Sequence, residues 1–242
     1  EDSYRRALTM LGPSEEMTQT KYNLSTVLYD AGNILDAEKY AREAYDGKDF
    51  VKNKKSKANI IYNYALILDR NGKSEEAIPC YLEVLDYNPD HIKTKINLGV
   101  MYINLTPPEI DTALTLFTQV YNLDNKNFEA NNNLGNVYLL KEDYANAVKF
   151  YQNALKLDSK NIDVRANLAK AYAKNNDYHN AKTTYEELLK MDNDNWDSYI
   201  ELAKVCMQLS DNSSAEKYLI YVQEKNSLYR ADEVASLLSS LY

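Results

Sequence analysis

The sequence predicts an all-α fold, an elongated solenoid of stacked helix–turn–helix units. A unit of about 34 residues recurs six times, and a repeat of this length forms a two-helix module that must bury its apolar face against the next module. Only six glycines and five prolines are present, which leaves little room for turn-rich β structure. One small residue returns at the same place in every copy: Ala37, Ala77, Ala113, Ala147, Ala181 and Ala215.

Composition and charge narrow the classes of partner. Hydrophobic residues make up 45% of the chain and charged residues 26%, as in an ordinary water-soluble protein. The formal net charge is −8. A helical-repeat protein that reads RNA needs basic stripes, so no nucleic-acid partner is expected. No apolar run approaches the ~18 residues that a membrane-spanning helix needs, so we expect no membrane span in this sequence.

The copy at residues 128–161 shows how each unit is built. Leu134 and Tyr138 are four residues apart and form an apolar stripe on a predicted first helix. Gly135 marks a close approach of two helices, and a large aromatic side chain is expected to fill the volume beside that contact. The second helix repeats this alternation of small and large residues with Ala147, Tyr151 and Ala154.

These residues at this spacing resemble the tetratricopeptide repeat, a helix–turn–helix unit of 34 residues, and the likeness extends over almost the whole chain. The resemblance implies a right-handed superhelix that holds a protein segment on its concave face. The six units are expected at residues 18–57, 58–91, 92–127, 128–161, 162–195 and 196–229. We expect residues 1–17 to form the second helix of a preceding repeat with a connector, and residues 230–242 to form a capping helix.

Short polar residues are placed to cap the second helices of the units. A side-chain oxygen just before a helix accepts a hydrogen bond from a free backbone N–H of the first turn. Asp143, Asp177 and Asp211 occupy that position, and Ser74 is expected to do the same in the second copy.

A row of asparagines is the main candidate binding feature. In the family the sixth place of each unit points into the groove, and the asparagines here resemble the ladder of the family's peptide-binding members. A carboxamide both donates and accepts, so it can bind the N–H and C=O groups of an extended peptide. The alternative is a structural role, in which these amides bond to neighbouring helices. The residues are Asn23, Asn63, Asn97, Asn133 and Asn167, followed by Glu201.

Other groove places would set side-chain preference in a bound peptide. Aromatic residues stand in the first two copies and suit an apolar or proline-containing peptide, although they could equally be packing residues. The fourth copy adds two amides one helical turn apart, and lysines stand in the third and fifth copies. These candidates are Tyr22, Tyr29, Tyr62, Lys93, Asn132, Asn136 and Lys170.

No catalytic or cofactor motif is found in the sequence. His91 and His179 lack partners at ligand spacing and are expected to be solvated surface residues, and Cys80 and Cys206 fit no metal-site spacing. We therefore expect no enzyme activity, metal or cofactor, and a protein or peptide as partner. Two alternatives remain: an assembly subunit that packs against folded partners through convex or terminal surfaces, and the substrate-docking arm of a larger enzyme. The oligomeric state stays open.

Overall fold

The computed structural model describes residues 1–241 and is all-α over this range. The last residue of the predicted capping segment, Tyr242, lies outside the described residues. The helices fall into two compact units, Glu1–Leu123 and Asp124–Tyr242. We call them the N-terminal unit and the C-terminal unit.

The N-terminal unit consists of helices joined by short turns. They are α1 (Asp2–Leu8), α2 (Glu15–Asp30), α3 (Ile34–Asp46), α4 (Lys54–Arg70), α5 (Ser74–Tyr87), α6 (Ile92–Asn104) and α7 (Ile110–Leu123), with a short 3₁₀ helix at Lys48–Phe50. The helices pack as consecutive antiparallel hairpins, α2 on α3, α4 on α5 and α6 on α7. Neighbouring hairpins meet through α3 on α4 and α5 on α6.

The C-terminal unit repeats the same arrangement. Its helices are α8 (Phe128–Leu140), α9 (Tyr144–Leu157), α10 (Ile162–Lys174), α11 (Tyr178–Met191), α12 (Trp196–Gln208), α13 (Asn212–Lys225) and α14 (Ala231–Ser239). Three hairpins, α8 with α9, α10 with α11 and α12 with α13, stack in order, and α14 packs on α13. The predicted fold class, helix–turn–helix units stacked in a solenoid manner, is confirmed.

Small residues set the closest approach of the two helices in a hairpin. A Cβ atom added at Gly135 would lie 2.6 Å from the ring of Tyr151, and one added at Gly99 would lie 2.5 Å from the ring of Phe117. Both rings are fully buried. The aromatic side chain therefore occupies the space that the glycine leaves, as the alternation of small and large residues predicts.

Side-chain caps begin most of the second helices. The carboxylates of Asp143, Asp177 and Asp211 accept from the backbone N–H three residues later, at 3.2, 3.3 and 3.2 Å. Those three predicted caps are confirmed. The prediction for Ser74 is wrong: α5 begins at Ser74 itself, and the residue before it, Lys73, makes no side-chain cap. Lysine has no acceptor atom to offer at that position.

Candidate peptide-binding surface

The sixth-place residues lie on the first helix of each hairpin. Each asparagine of the set is partly buried, because it lies on its helix between the side that faces the core and the side that faces solvent. We call Asn23, Asn63, Asn97, Asn133 and Asn167 the first-helix asparagines. Their hydrogen bonds differ between the two units, and that difference decides what each can do.

In the N-terminal unit the first-helix asparagines bond to other residues of the protein. Asn63 on α4 donates from Nδ2 to Ser25 Oγ on α2 at 2.7 Å. Asn97 on α6 donates from Nδ2 to Tyr81 OH at 3.0 Å. Asn23 accepts from Gln19 Nε2 within its own helix at 3.2 Å. Two of the three amide groups thus join neighbouring helices, which is the structural role that the sequence left open.

The candidate aromatic residues of this unit are engaged in packing. Tyr22 packs against the buried cluster that contains Val51. Tyr29 and Tyr62 pack against the main core of the unit. Burial raises the pKa of Tyr62, and its ring lies 4.9 Å from the ring of His91.

In the C-terminal unit two first-helix asparagines keep their amide groups available. Asn133 on α8 and Asn167 on α10 are partly exposed. Neither side chain makes a hydrogen bond to any residue between 1 and 241. Because α8 and α10 are in contact, these two amides stand at equivalent places on adjacent first helices.

The other candidates of the C-terminal unit surround this pair. Asn136 Oδ1 accepts from Tyr151 OH at 2.7 Å, so its two amide hydrogens remain to donate. Asn132 Oδ1 is buried and has no hydrogen-bond partner. Lys170, three residues after Asn167 on α10, is exposed, as is Lys93 on α6 of the other unit.

One buried asparagine of α8 was not among the site residues predicted from the sequence. Asn131 is 0% exposed and donates from Nδ2 to the backbone oxygens of Asn125 and Asn127 at 3.0 and 2.8 Å. Its Oδ1 is buried without a partner. The only sequence signal was an asparagine at the fourth place, where the family favours a bulky residue.

Neither a metal-binding cluster nor a thiol with a lowered pKa is present among the described residues. Between residues 1 and 241, no group of three or more His, Cys, Asp or Glu side chains could hold a metal ion. Burial raises the pKa of both thiols, Cys80 and Cys206, to about 11, so both stay protonated at neutral pH. None of the described helices has the length and apolar character required to cross a bilayer.

The expectation for His91 is wrong, because this histidine is a partly buried cap and not a solvated residue. Its Nδ1 accepts from the backbone N–H of Thr94 at 3.3 Å and lies 2.8 Å from Thr94 Oγ1. His91 is therefore the N-cap of α6. Burial, with a smaller effect of Lys93, lowers the pKa of His91. His179, in contrast, is exposed.

The stacked hairpins and their first-helix faces define the class of protein as a helical-repeat scaffold. Family models agree at the level of single repeats. The model described as "TPR repeat" matches residues 135–176, and the one described as "Tetratricopeptide repeat" matches residues 58–91 and 162–195. These matches identify tetratricopeptide repeats in both units of the chain.

Curated relatives share a limited stretch with this chain. Human Protein O-mannosyl-transferase TMTC3 is 25% identical over 142 residues, which is 59% of this chain and 15% of the relative. The Drosophila melanogaster protein Tmtc3 is 24% identical over 144 residues, again 59% of this chain and 15% of the relative. The matched region therefore spans less than a sixth of either relative.

Solved structures show the same fold at low sequence identity. A tetratricopeptide repeat protein from Parabacteroides merdae has a TM-score of 0.72 and 18% identity, covering 93% of this chain and 86% of that one. Pseudomonas aeruginosa pilF has a TM-score of 0.71 and 16% identity, with coverages of 93% and 98%. YrrB, described as a TPR protein with an unusual peptide-binding site, has a TM-score of 0.67 and 16% identity, with coverages of 74% and 91%.

Proposed function

We propose that this chain is a non-catalytic scaffold that binds an extended protein segment along its first helices, through the free carboxamides of the C-terminal unit. The fold supports a protein-interaction scaffold in general. The peptide-binding site described for YrrB shows that a protein of this fold can take a peptide ligand. The observation that carries the more specific proposal is the pair of unpartnered amides at Asn133 and Asn167.

Spacing makes these two amides suitable for an extended ligand. Packed helices lie about 8–10 Å apart, and an extended chain advances about 3.3 Å per residue. Asn133 and Asn167 would therefore contact ligand residues about three positions apart. Each amide offers donors and an acceptor to the ligand backbone, so binding along this row depends little on ligand side chains.

The neighbouring groups add contacts to the same ligand. The amide hydrogens of Asn136 lie one helical turn from Asn133 on α8, and the ammonium group of Lys170 lies one turn from Asn167 on α10. Lys170 would favour a ligand with a carboxylate at that end. The amides of Asn63 and Asn97 already bond to Ser25 and Tyr81, so we assign the N-terminal unit a supporting structural role.

A peptide-display selection on the intact chain, followed by titration of the enriched peptides, tests this proposal. N133A combined with N167A should weaken an enriched peptide about tenfold or more, because each net hydrogen bond contributes about 0.5–1.5 kcal/mol and several are lost. N153A, an amide on the second helix α9, is the matched control and should leave affinity unchanged. Equal affinity of the wild-type chain and the double variant would remove the amide row as the binding site.

The mannosyl-transferase relatives support a second candidate, in which these repeats are the substrate-docking arm of a larger enzyme. Under this proposal the ligand of the repeats is an acceptor protein, and the transfer chemistry lies elsewhere. Reading the coding sequence on both sides of these residues tests it. A coding sequence without any transferase segment would exclude the docking-arm candidate and leave the first proposal intact.

A further inference from the structure

A stripe of four residues on α13 faces solvent at the far side of the helix from the core. Lys217, Ile220, Tyr221 and Glu224 follow one another at intervals of three, one and three residues, so they share one face of two helical turns. Lys217 and Glu224 are exposed, Tyr221 is partly exposed, and Ile220 is 38% exposed. The face toward the core is formed instead by Leu219 and Val222, both fully buried. We call Lys217, Ile220, Tyr221 and Glu224 the α13 stripe.

The α13 stripe lines a cavity with aromatic walls. The cavity has a volume of about 520 Å³, and its remaining lining residues are Tyr199 and Tyr218. Tyr199 holds Tyr221 in place, with ring centroids 4.9 Å apart. Trp196 supports the same ring at 6.3 Å. The concave apolar centre of the stripe is therefore built on packed side chains.

The equivalent surface carries an ion pair in two other repeats. In both, the ion pair joins the first helix to the second. One partner stands at the fourth place of the repeat, and the other stands ten residues after the N-cap of the second helix. The pairs are Lys21 with Glu43 at 2.9 Å and Arg165 with Glu187 at 2.6 Å. In the last repeat the same two places hold Tyr199 and Tyr221. An ion pair has thus been replaced by an aromatic contact where α13 faces solvent.

We propose that the α13 stripe is the contact surface for a second copy of this chain, with the two α13 helices antiparallel about a two-fold axis. The charges of the stripe are self-complementary in that arrangement. An axis that passes between residues 220 and 221 places Lys217 of one protomer opposite Glu224 of its partner, and Glu224 opposite Lys217. Neither side chain has an ion-pair partner within the described residues, so both are available for this contact.

The same axis brings the apolar residues together at the centre. Four residues at this spacing form the hole that receives a side chain from a facing helix. Ile220 of one protomer would enter the cavity of the other, against Tyr221. One helix per protomer is small for a stable interface, so we expect a dissociation constant of roughly tens to hundreds of micromolar.

Charge reversal tests this dimer directly by sedimentation equilibrium of the intact chain. K217E and E224K should each weaken self-association about tenfold or more, because each places like charges opposite one another twice per dimer. An equimolar mixture of K217E and E224K should associate as a heterodimer with near wild-type affinity, since both facing pairs are again of opposite sign. The chain carrying both substitutions should regain self-association for the same reason.

Controls separate this dimer from other events. K160E, in the exposed turn before α10, changes the net charge by the same amount and sign as K217E and should leave association unchanged. Circular dichroism of each variant should match that of wild type. The proposal is overturned if the wild-type chain stays monomeric up to about 1 mM, where even a weak pair would associate. It is also overturned if dimers persist unchanged in both single variants, which would place the contact on another face.

Discussion

Single residues in this chain take their roles from the groups within hydrogen-bond reach. His91 is an example. No metal-ligating residue stands near it at ligand spacing in the sequence, and in the structure it is the N-cap of α6, whose side chain accepts from the backbone N–H of Thr94. Four first helices, α4, α8, α10 and α12, begin with an asparagine in that position instead. The difference matters because only the histidine changes its charge near neutral pH.

The cap at His91 predicts a pH-dependent stability. The folded chain lowers the pKa of His91 below its ordinary value of 6.5, first because the site is partly buried and second because the ammonium group of Lys93 is nearby. The unprotonated Nδ1 accepts from the backbone N–H of Thr94. As pH falls below 6.5 the unfolded chain binds the proton first, so the free energy of unfolding decreases until the folded-state pKa is passed. In H91N this contribution should vanish, because an amide caps the helix without titrating.

Urea unfolding of wild type and H91N at several pH values between about 5 and 8 measures this difference, since all other titrating groups are shared. Parallel stability curves for the two proteins over that range would show that the cap does not contribute. H179N, at an exposed histidine, is the control and should follow wild type.

At the scale of helices, the hairpins are held by close crossings and by side chains that reach the next hairpin. Ala147 on α9 is fully buried where its hairpin partner packs closely. Between hairpins, Glu38 on α3 binds Asn71 and Lys73 in the turn between α4 and α5. Burial opposes ionisation of Glu38, but these two donors hold its pKa below the usual range. The carboxylate therefore fixes the position of one hairpin on the next.

Overpacking one crossing should destabilise the hairpin. A147L adds three carbon atoms at a fully buried site, and we expect a loss of about 1–3 kcal/mol in the free energy of unfolding. A145L, two residues earlier on the exposed side of α9, should change stability by less than about 0.5 kcal/mol. Urea denaturation of both variants provides the comparison, and equal stabilities would contradict the close crossing at Ala147.

At the scale of the whole molecule, stability in a repeat protein is summed over neighbouring hairpins. The C-terminal unit ends with α14, which places Val234 in the same buried cluster as Leu219 and Val222. Polar bonds hold the start of this helix: Arg230 contacts Asp197 and Glu233 at 2.6 Å each. The last hairpin is thus covered by apolar contacts and anchored by ion pairs.

Disrupting α14 should loosen the nearest hairpin most. V234D places a carboxylate in the apolar cluster, and the cost of burying it should release α14 from α13. We expect amide hydrogen exchange to accelerate most in α12 and α13, and progressively less in α10 and α8. A235D, on the exposed neighbouring residue, should exchange like wild type. A uniform increase over all four helices would contradict nearest-neighbour coupling.

The sequence by itself determined the all-α class, the stacked hairpins, and the small-and-large packing at Gly135 and Tyr151. It also determined the caps at Asp143, Asp177 and Asp211. These features are local or periodic: a cap acts over three residues, and a core face follows the helical period. The prediction for Ser74 failed because the start of α5 shifted by one residue.

Only the tertiary structure decided which of the first-helix asparagines have hydrogen-bond partners within the protein. Asn63 and Asn133 occupy the same place in their repeats, yet Asn63 donates to Ser25, which is 38 residues away in sequence. The availability of an amide depends on what the neighbouring hairpin places within about 3 Å of it, and sequence spacing does not contain that information. The aromatic cavity on α13 has the same origin, because Tyr199 and Tyr221 come together only when α12 packs on α13.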